Sequence, residues 1–359
     1  MRIISKYILR EFYKIFFLSS ISFISLYLIV DFFEKIKSFI SHKASINLVS
    51  LFFLYKIPFI LFHIIPIAVL LSTLLTFTIL SRNQEIVAMK ASGINLSSIC
   101  APILISSFLI SFLLFILNES VIPYATKKSE YIENVCIKKK QPAGFYKQNQ
   151  IWYKSQNAIY NIQIFDPKNN VLKGITINNL DKDFNLVRRI DAKEARWSTK
   201  GWIFYDVRIR SWQEDGFFKS QSFSKKMISL PETPQDFKKA EGNPEEMTFS
   251  ELLEYIKKIE SEGYDATKYV VDLHLKISFP LVSLIMAILG IPFALKAERG
   301  GGIALSIGTS IFIGFVYYFI YAFSRSLGHS GILPPIISAW LTNILFGIIG
   351  VFFLTSAPQ

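Results

Sequence analysis

The chain has 359 residues, of which 51% are hydrophobic and 15% aromatic, and this composition is too apolar for a soluble protein. Its net charge of +12 would suit nucleic acid, but most of the basic excess lies beside apolar runs, which favours anionic lipid as the partner and excludes nucleic acid. The two cysteines, Cys100 and Cys136, fall on opposite sides of a membrane in the topology predicted below, which excludes a disulfide.

Six apolar segments are long enough to cross a bilayer, which takes about 20 residues because backbone groups cannot be hydrated in hydrocarbon. They run from Ile15 to Phe33, Ile57 to Leu80, Ile99 to Leu117, Val270 to Leu295, Ile303 to Ala322 and Pro334 to Leu354. The first segment lacks the small-x-small cleavage site that follows the apolar region of a cleaved signal peptide. The sequence therefore predicts three membrane helices in residues 1–118, an insert, and three more helices in residues 269–359.

Lysine and arginine in the short loops predict the orientation, because such residues concentrate on the cytoplasmic side. Basic residues precede the first segment, separate the second from the third, and separate the fourth from the fifth: Arg2, Lys6, Arg10, Lys14, Arg82, Lys90, Lys296 and Arg299. These positions share one side of the membrane. Both termini are therefore predicted to be cytoplasmic, and the insert is predicted to lie on the outer side of the membrane.

Residues 119–247 of the insert are predicted to be all-β. Alternating or β-branched runs separated by turn residues predict strands at Gln150–Lys154, Ala158–Phe165, Val171–Leu180, Phe184–Trp197 and Trp202–Trp212. Regular short strands are typical of a sandwich or jelly roll.

A connecting helix is predicted in residues 248–268, before the fourth membrane segment. Thr248 and Glu251 have the spacing of a capping box, and Gly263 is placed to end the helix.

Motifs of enzyme chemistry are missing from the sequence. No G-x-x-x-x-G-K-[ST] phosphate loop and no G-x-S-x-G nucleophile elbow occurs, and the four histidines show no metal-ligand spacing. The run Gly300-Gly301-Gly302 follows a membrane segment and lacks a lysine, so it is interpreted as a flexible turn. The sequence predicts a protein that is not an enzyme and has no catalytic residues, metal or cofactor.

The short segment 82–93, on the predicted cytoplasmic side, favours a helix that Gly93 would end. Ile86 and Met89 would form its apolar face. Such a helix could receive force from an ATPase, through Arg82, Glu85, Ile86, Met89 and Gly93. An interfacial helix resting on lipid remains the alternative.

Several cations lie near the outer ends of the predicted membrane helices: Lys35, Lys37, Lys43, Lys56, Lys276 and Arg325. Charge at this depth is costly and usually faces a cavity or a partner. A lipid that carries phosphates would be such a partner, with Lys35, Lys37, Lys276 and Arg325 as its contacts. Snorkelling to headgroups, neutralisation by Asp31, Glu34 and Asp272, or an i, i+4 pair between Asp272 and Lys276 are the alternatives.

Proline and glycine also interrupt the fourth membrane segment, at Pro280, Gly290 and Pro292. Both a hinge and an ordinary tolerated membrane proline are consistent with this pattern.

Over essentially its whole length the chain resembles the lipopolysaccharide-export permease family LptF/LptG (YjgP/YjgQ). The motifs that carry the resemblance are Ser81-Arg82-Asn83-Gln84-Glu85-Ile86, Met89-Lys90-Ala91-Ser92-Gly93, Asn118-Glu119 with Pro123, Asp272-Leu273-His274, Phe279-Pro280, Leu289-Gly290-Ile291-Pro292-Phe293, Leu333-Pro334-Pro335 and Ala339-Trp340. Within the family, the stretches Leu26–Lys35, Ile151-Trp152-Tyr153 and Leu327–Pro335 look more like LptG than LptF.

The resemblance implies an ABC transporter in which LptF and LptG pair with each other, with two copies of the ATPase LptB, and with the single-span protein LptC. Lipopolysaccharide would leave the outer leaflet of the inner membrane, pass through jelly-roll domains and reach the periplasmic bridge LptA. Segment 82–93 would be the coupling helix, with Glu85 against a basic group of LptB. Lys37, and less closely Lys35, match the region that contacts lipid phosphates, whereas Lys276 and Arg325 are assigned by depth alone.

Two other functional classes remain open at the sequence level. One is a membrane-anchored enzyme or sensor acting on envelope lipids. The other is a permease of another envelope-lipid or lipoprotein export system, whose members of the MacB type carry four spans.

Overall fold

The computed structural model divides the chain into two compact units, Met1–Ser129 with Ala266–Gln359, and Glu130–Asp265. Residues 119–129, predicted from their sequence to be part of the insert, belong to the first unit. The structure describes residues 2–138, 145–147, 150–154, 158–166, 169–181, 185–198, 201–212, 218–230, 233–234, 243–261, 265–297 and 302–356.

The first unit is helical. Its helices are α1 (Arg2–Ser41), α2 (Ile46–Arg82), α3 (Glu85–Ala91), α4 (Leu96–Ser120) and α5 (Ile122–Tyr131), the last of which continues as a π-helix, Ile132–Ile137, into the second unit. After the insert come α7 (Thr267–Ser278), a 3₁₀ turn (Phe279–Leu281), α8 (Val282–Ala297), α9 (Gly302–His329) and α10 (Pro335–Thr355), whereas α6 (Phe249–Ser261) belongs to the second unit.

Six helical segments of the described chain are long and apolar enough to cross a membrane, which confirms the predicted number. They are α1, α2, α4, the combined α7–α8 segment, α9 and α10. The helices extend beyond the apolar cores that define them in the sequence. Helix α1, for example, begins at Arg2 and continues to Ser41, well past the predicted end at Phe33.

Helix α2 lies at the centre of this unit and packs against α1, α8 and α9. Its side chains Leu70, Leu74 and Phe77 are fully buried in the core. By contrast, α1 and α9 turn large apolar side chains outward, including Phe315 and Phe319, which are 68% and 63% exposed. An apolar exterior of this kind is stable in lipid, because the acyl chains that surround it are apolar as well.

The second unit contains a seven-stranded antiparallel sheet. Its strands are β1 (Phe145–Lys147), β2 (Gln150–Lys154), β3 (Ala158–Asp166), β4 (Val171–Leu180), β5 (Leu186–Ser198), β6 (Gly201–Trp212) and β7 (Phe218–Ile228). The five predicted strands are confirmed as β2 to β6, and β1 and β7 are added at the edges. Alternation buries one face of the sheet, with Trp202 and Phe204 in its core.

The fold class, membrane helices with an inserted all-β domain, is confirmed. The described strands lie in chain order, β1 to β7, so each pairs with its neighbours in sequence. This order is simpler than that of a closed jelly roll, whose strands cross between sheets. Short connections explain it, because they join antiparallel neighbours directly.

Helix α6 begins at the predicted capping box. Thr248 Oγ1 accepts from the Glu251 N–H at 3.2 Å, and a Glu251 carboxylate oxygen accepts from the Thr248 N–H at 2.8 Å. The predicted stop at Gly263 lies outside the described residues, as do Gly300 and Gly301 of the glycine run.

Candidate functional site

The predicted site residues fall at two opposite ends of the helical unit. Consecutive membrane helices run in opposite directions, so the turn between α1 and α2, the start of α7 and the end of α9 share one end, here called the hairpin end. Helix α3, between α2 and α4, lies at the other, the α3 end. The rise of an α-helix puts about 40 Å between Lys56 and Arg82 along α2.

At the α3 end, the chain turns sharply from α2 into α3. Asn83 ends α2, and Gln84 takes a left-handed conformation with φ +60° before α3 begins. The C-terminus of α3 is closed by Gly93, which has φ +81°. The Gly93 N–H donates to the Lys90 carbonyl at 2.9 Å and the Ile94 N–H to the Met89 carbonyl at 3.1 Å, so Gly93 ends this helix as predicted.

The apolar side chains of α3 face the protein's own core. Ile86 is 4% exposed and belongs to the main hydrophobic core, and Met89 is half-buried against it. They therefore anchor α3 to the unit. The side of α3 that remains accessible carries Val87 and Ala88, with Arg82 exposed just before the helix.

Glu85 lies at the first turn of α3, where the helix dipole favours a carboxylate. It is half-buried, accepts a hydrogen bond from Asn83 Nδ2 at 3.1 Å, and interacts with the Tyr7 hydroxyl of α1. Glu85 therefore connects α3 to α1 and α2 while part of its surface remains accessible.

At the hairpin end, one of the predicted cations is held inside the protein. Lys56 Nζ lies 2.8 Å from each carboxylate oxygen of Asp31, and the two side chains are only 17% and 9% exposed. Asp31 is on α1 and Lys56 on α2, so the ion pair joins the two helices. Lys56 is therefore neutralised within the chain, one of the alternatives that the sequence left open.

Lys35 and Lys37 differ in their surroundings although they are two residues apart. Lys35 is half-buried, with Nζ 4.5 Å from the centre of the Phe52 ring, and this cation–π contact holds it against α2. Lys37 is exposed. Of the two lysines, Lys37 therefore has its ammonium group more accessible to a ligand.

Asp272 of α7 forms a second buried charge cluster, with two residues of α9. Its Oδ1 accepts from Arg325 Nη2 at 2.9 Å and lies 3.0 Å from His329 Nε2. Asp272 is 6% exposed, and Lys276, one turn further along α7, is 8% exposed. Arg325 keeps 35% of its side chain exposed, so its guanidinium can reach a ligand while it remains paired.

Sequence reasoning missed the part that His329 plays in this cluster. His329 follows Arg325 by four residues, which puts both side chains on one face of α9. The i, i+4 spacing of Arg325 and His329 is the sequence feature that indicates a shared partner for the two side chains. No group of three His, Cys, Asp or Glu residues that could hold a metal ion converges within the described chain.

The chain matches the family of lipopolysaccharide export system permeases LptF/LptG over residues 6–356. It is 22% identical over 363 residues to the lipopolysaccharide export system permease protein LptG of Escherichia coli strain K12, with 98% of each chain covered. It is also 22% identical over 364 residues to the protein of the same name from Haemophilus influenzae, with 99% of each covered. With six candidate spans and a β insert, this chain belongs to the LptF/LptG family and is a multi-pass inner-membrane permease of lipopolysaccharide export.

Proposed function

We propose that this chain is the LptG-type permease of a transporter that extracts lipopolysaccharide from the outer leaflet of the inner membrane and passes it to a periplasmic bridge. A separate ATPase supplies the energy, and the permease itself hydrolyses no ATP. The observation that carries this proposal is the separation of two unlike surfaces on one helical unit. Accessible cations lie at the hairpin end, and an anchored helix with an exposed side lies at the α3 end.

The hairpin end fits a lipid that carries phosphates. Lys37 is exposed, and Arg325 is partly exposed although it is paired with Asp272. These two residues are the proposed primary phosphate contacts. Lys35, held over Phe52, and Lys276, buried in α7, are proposed as secondary contacts that would have to move outward to reach a phosphate.

The α3 end fits a motor protein. Because Ile86 and Met89 anchor α3 in the core, a push on its exposed side is transmitted to α2 and α4 instead of displacing a loose loop. The contact surface is Arg82, Glu85, Val87 and Ala88, and Gly93 fixes where the helix ends. The proposed partner at this surface is an LptB-like ATPase dimer.

The remaining partners follow from the family. They are an LptF-like second permease, an LptC-like single-span protein and an LptA-like periplasmic bridge. The names of both relatives support LptG over LptF. Basic residues in the short loops support cytoplasmic termini and a periplasmic β domain, the orientation that lipid transfer to the periplasm requires.

Transport in proteoliposomes that contain the complete transporter tests this proposal. We expect wild-type complexes to release lipopolysaccharide to the bridge protein only with ATP, and Lys37→Glu to reduce photocrosslinking of the lipid because it reverses an accessible charge. Lys43→Glu is the matched control, since Lys43 is exposed in the same hairpin and undergoes the same charge change. An equal loss in both variants would refute a phosphate contact at Lys37. Wild-type complexes without ATP-dependent release would refute the function.

A further inference from the structure

The α-helical hydrogen bonding of the fourth membrane segment is interrupted near its middle, and this interruption is here called the break. Helix α7 ends at Ser278, a 3₁₀ turn occupies Phe279–Leu281, and α8 begins at Val282. Pro280 lies inside this turn and has no N–H to donate. Backbone groups that are exposed by such a break cannot be satisfied by water in hydrocarbon, so they require donors from neighbouring helices.

The first carbonyl affected by the break is that of Lys276. In a continuous helix it would accept from the N–H of residue 280, which is a proline here. Asn118, at the end of α4, donates to it instead, with Nδ2 3.3 Å from the Lys276 oxygen. Asn118 is 7% exposed, so its amide is placed within the protein.

The second affected carbonyl is that of Ser278. Its α-helical donor would be the Val282 N–H, but that group donates to the Phe279 carbonyl in the 3₁₀ turn. The i→i+3 pattern of the turn pairs this carbonyl with the Leu281 N–H instead, and Asn343 of α10 adds a side-chain donor, with Nδ2 2.6 Å from the Ser278 oxygen. The Asn343 Oδ1 in turn accepts a hydrogen bond from the fully buried Tyr317 of α9.

We infer that Asn118 and Asn343 are positioning residues, whose amides hold the break at Pro280 in one geometry and so fix α7 at the site of lipid binding. Helix α7 carries Asp272, which holds Arg325, and also carries Lys276. The two amides attach this short helix to α4 and α10 independently of α8. The inference rests on the proposed function only for the identity of the lipid.

Two uses of the break follow from this geometry. It places the end of α7 where the Asn118 amide reaches the Lys276 carbonyl, and it lets Asn343 attach the same end to α10. A continuous helix would give the Lys276 carbonyl a backbone donor, so the Asn118 amide would no longer be needed there. We therefore expect loss of the break to impair lipid transport more than folding.

A double-mutant cycle between Asn118 and Pro280 tests the contact by thermal unfolding of the full chain. Asn118→Ala leaves a buried carbonyl without its donor, so Tm should fall by about 2–4 °C. In the Pro280→Ala background the new N–H of residue 280 reaches the Lys276 carbonyl, so Asn118→Ala should change Tm little. Ser111→Ala is the matched control on α4, because the buried Ser111 hydroxyl makes no hydrogen bond within the described residues. Equal losses in both backgrounds would refute the contact.

Transport by the assembled complex tests the role of the break. A complex that contains Pro280→Ala should retain the Tm and the ATP hydrolysis of the wild-type complex but lose most lipopolysaccharide release. A merely structural role does not predict this result. Asn343→Ala should reduce lipid crosslinking at Arg325 more than at Lys37, because Asn343 contacts α7 and α9, which carry Asp272 and Arg325, and makes no contact with α1 among the described residues. If the wild-type complex transports and the Pro280→Ala complex releases lipopolysaccharide normally, the inference is overturned. A wild-type complex that fails to transport would instead contradict the proposed function, and the Tm cycle would still decide the contact.

Discussion

Replacing Lys56 by alanine removes one half of the ion pair that joins α1 to α2 and leaves the Asp31 carboxylate buried without its counter-ion. Breaking a buried pair in this way costs about 3–5 kcal/mol, because the remaining charge is no longer compensated. Lys56 keeps 17% of its side chain exposed, so water can partly solvate the site. We therefore expect a loss near the lower end of that range, about 3 kcal/mol.

The free energy of unfolding in mixed detergent micelles measures this loss. Lys37→Ala is the matched control, since it removes an exposed lysine of α1 and should change stability by less than about 0.5 kcal/mol. The double variant Asp31→Leu with Lys56→Leu removes both charges and should recover most of the loss, because no unpaired charge stays buried.

Two outcomes would refute this reasoning. If Lys56→Ala cost no more than Lys37→Ala, the pair would be solvated in a way that its burial does not suggest. If the double variant were less stable than Lys56→Ala, the unpaired Asp31 carboxylate would cost less than the two leucines that replace the pair, and a buried uncompensated charge would not account for the loss.

Two further predictions concern glycines. Gly290→Ala should destabilise the chain by about 1–3 kcal/mol, because its new Cβ would lie 3.0 Å from Thr73 Cβ and Cγ2 on α2. Gly347→Ala is the control in the same unfolding assay. It should leave stability unchanged, because nothing lies within 4 Å of its Cβ. Gly93→Ala should cost about 1 kcal/mol and reduce ATP-driven transport, since φ +81° strains a side chain at the end of α3. Unchanged stability of Gly93→Ala would contradict the left-handed cap.

Features that depend on neighbouring residues in the chain were predictable from sequence. The six membrane segments followed from runs of apolar residues, and the middle five strands followed from alternation between turn residues. The capping box at Thr248 and the helix end at Gly93 were equally local, because a cap is formed by residues within one helical turn. The bounds of α1 were less predictable, since its polar continuation carries no hydropathy signal.

The partners of the charged and amide side chains were decided only by the tertiary structure. Asp31 and Lys56 are 25 residues apart, and Asn118 lies 158 residues from Lys276, so no sequence spacing indicates either contact. Whether Ile86 faces a partner or the core likewise depends on how α3 packs, because a short helix has the same apolar pattern in both cases. Hydropathy is a local property that determines which residues enter the membrane. The packing of helices that are distant in sequence determines which of these residues are in contact. The chemistry of the site depends on those contacts.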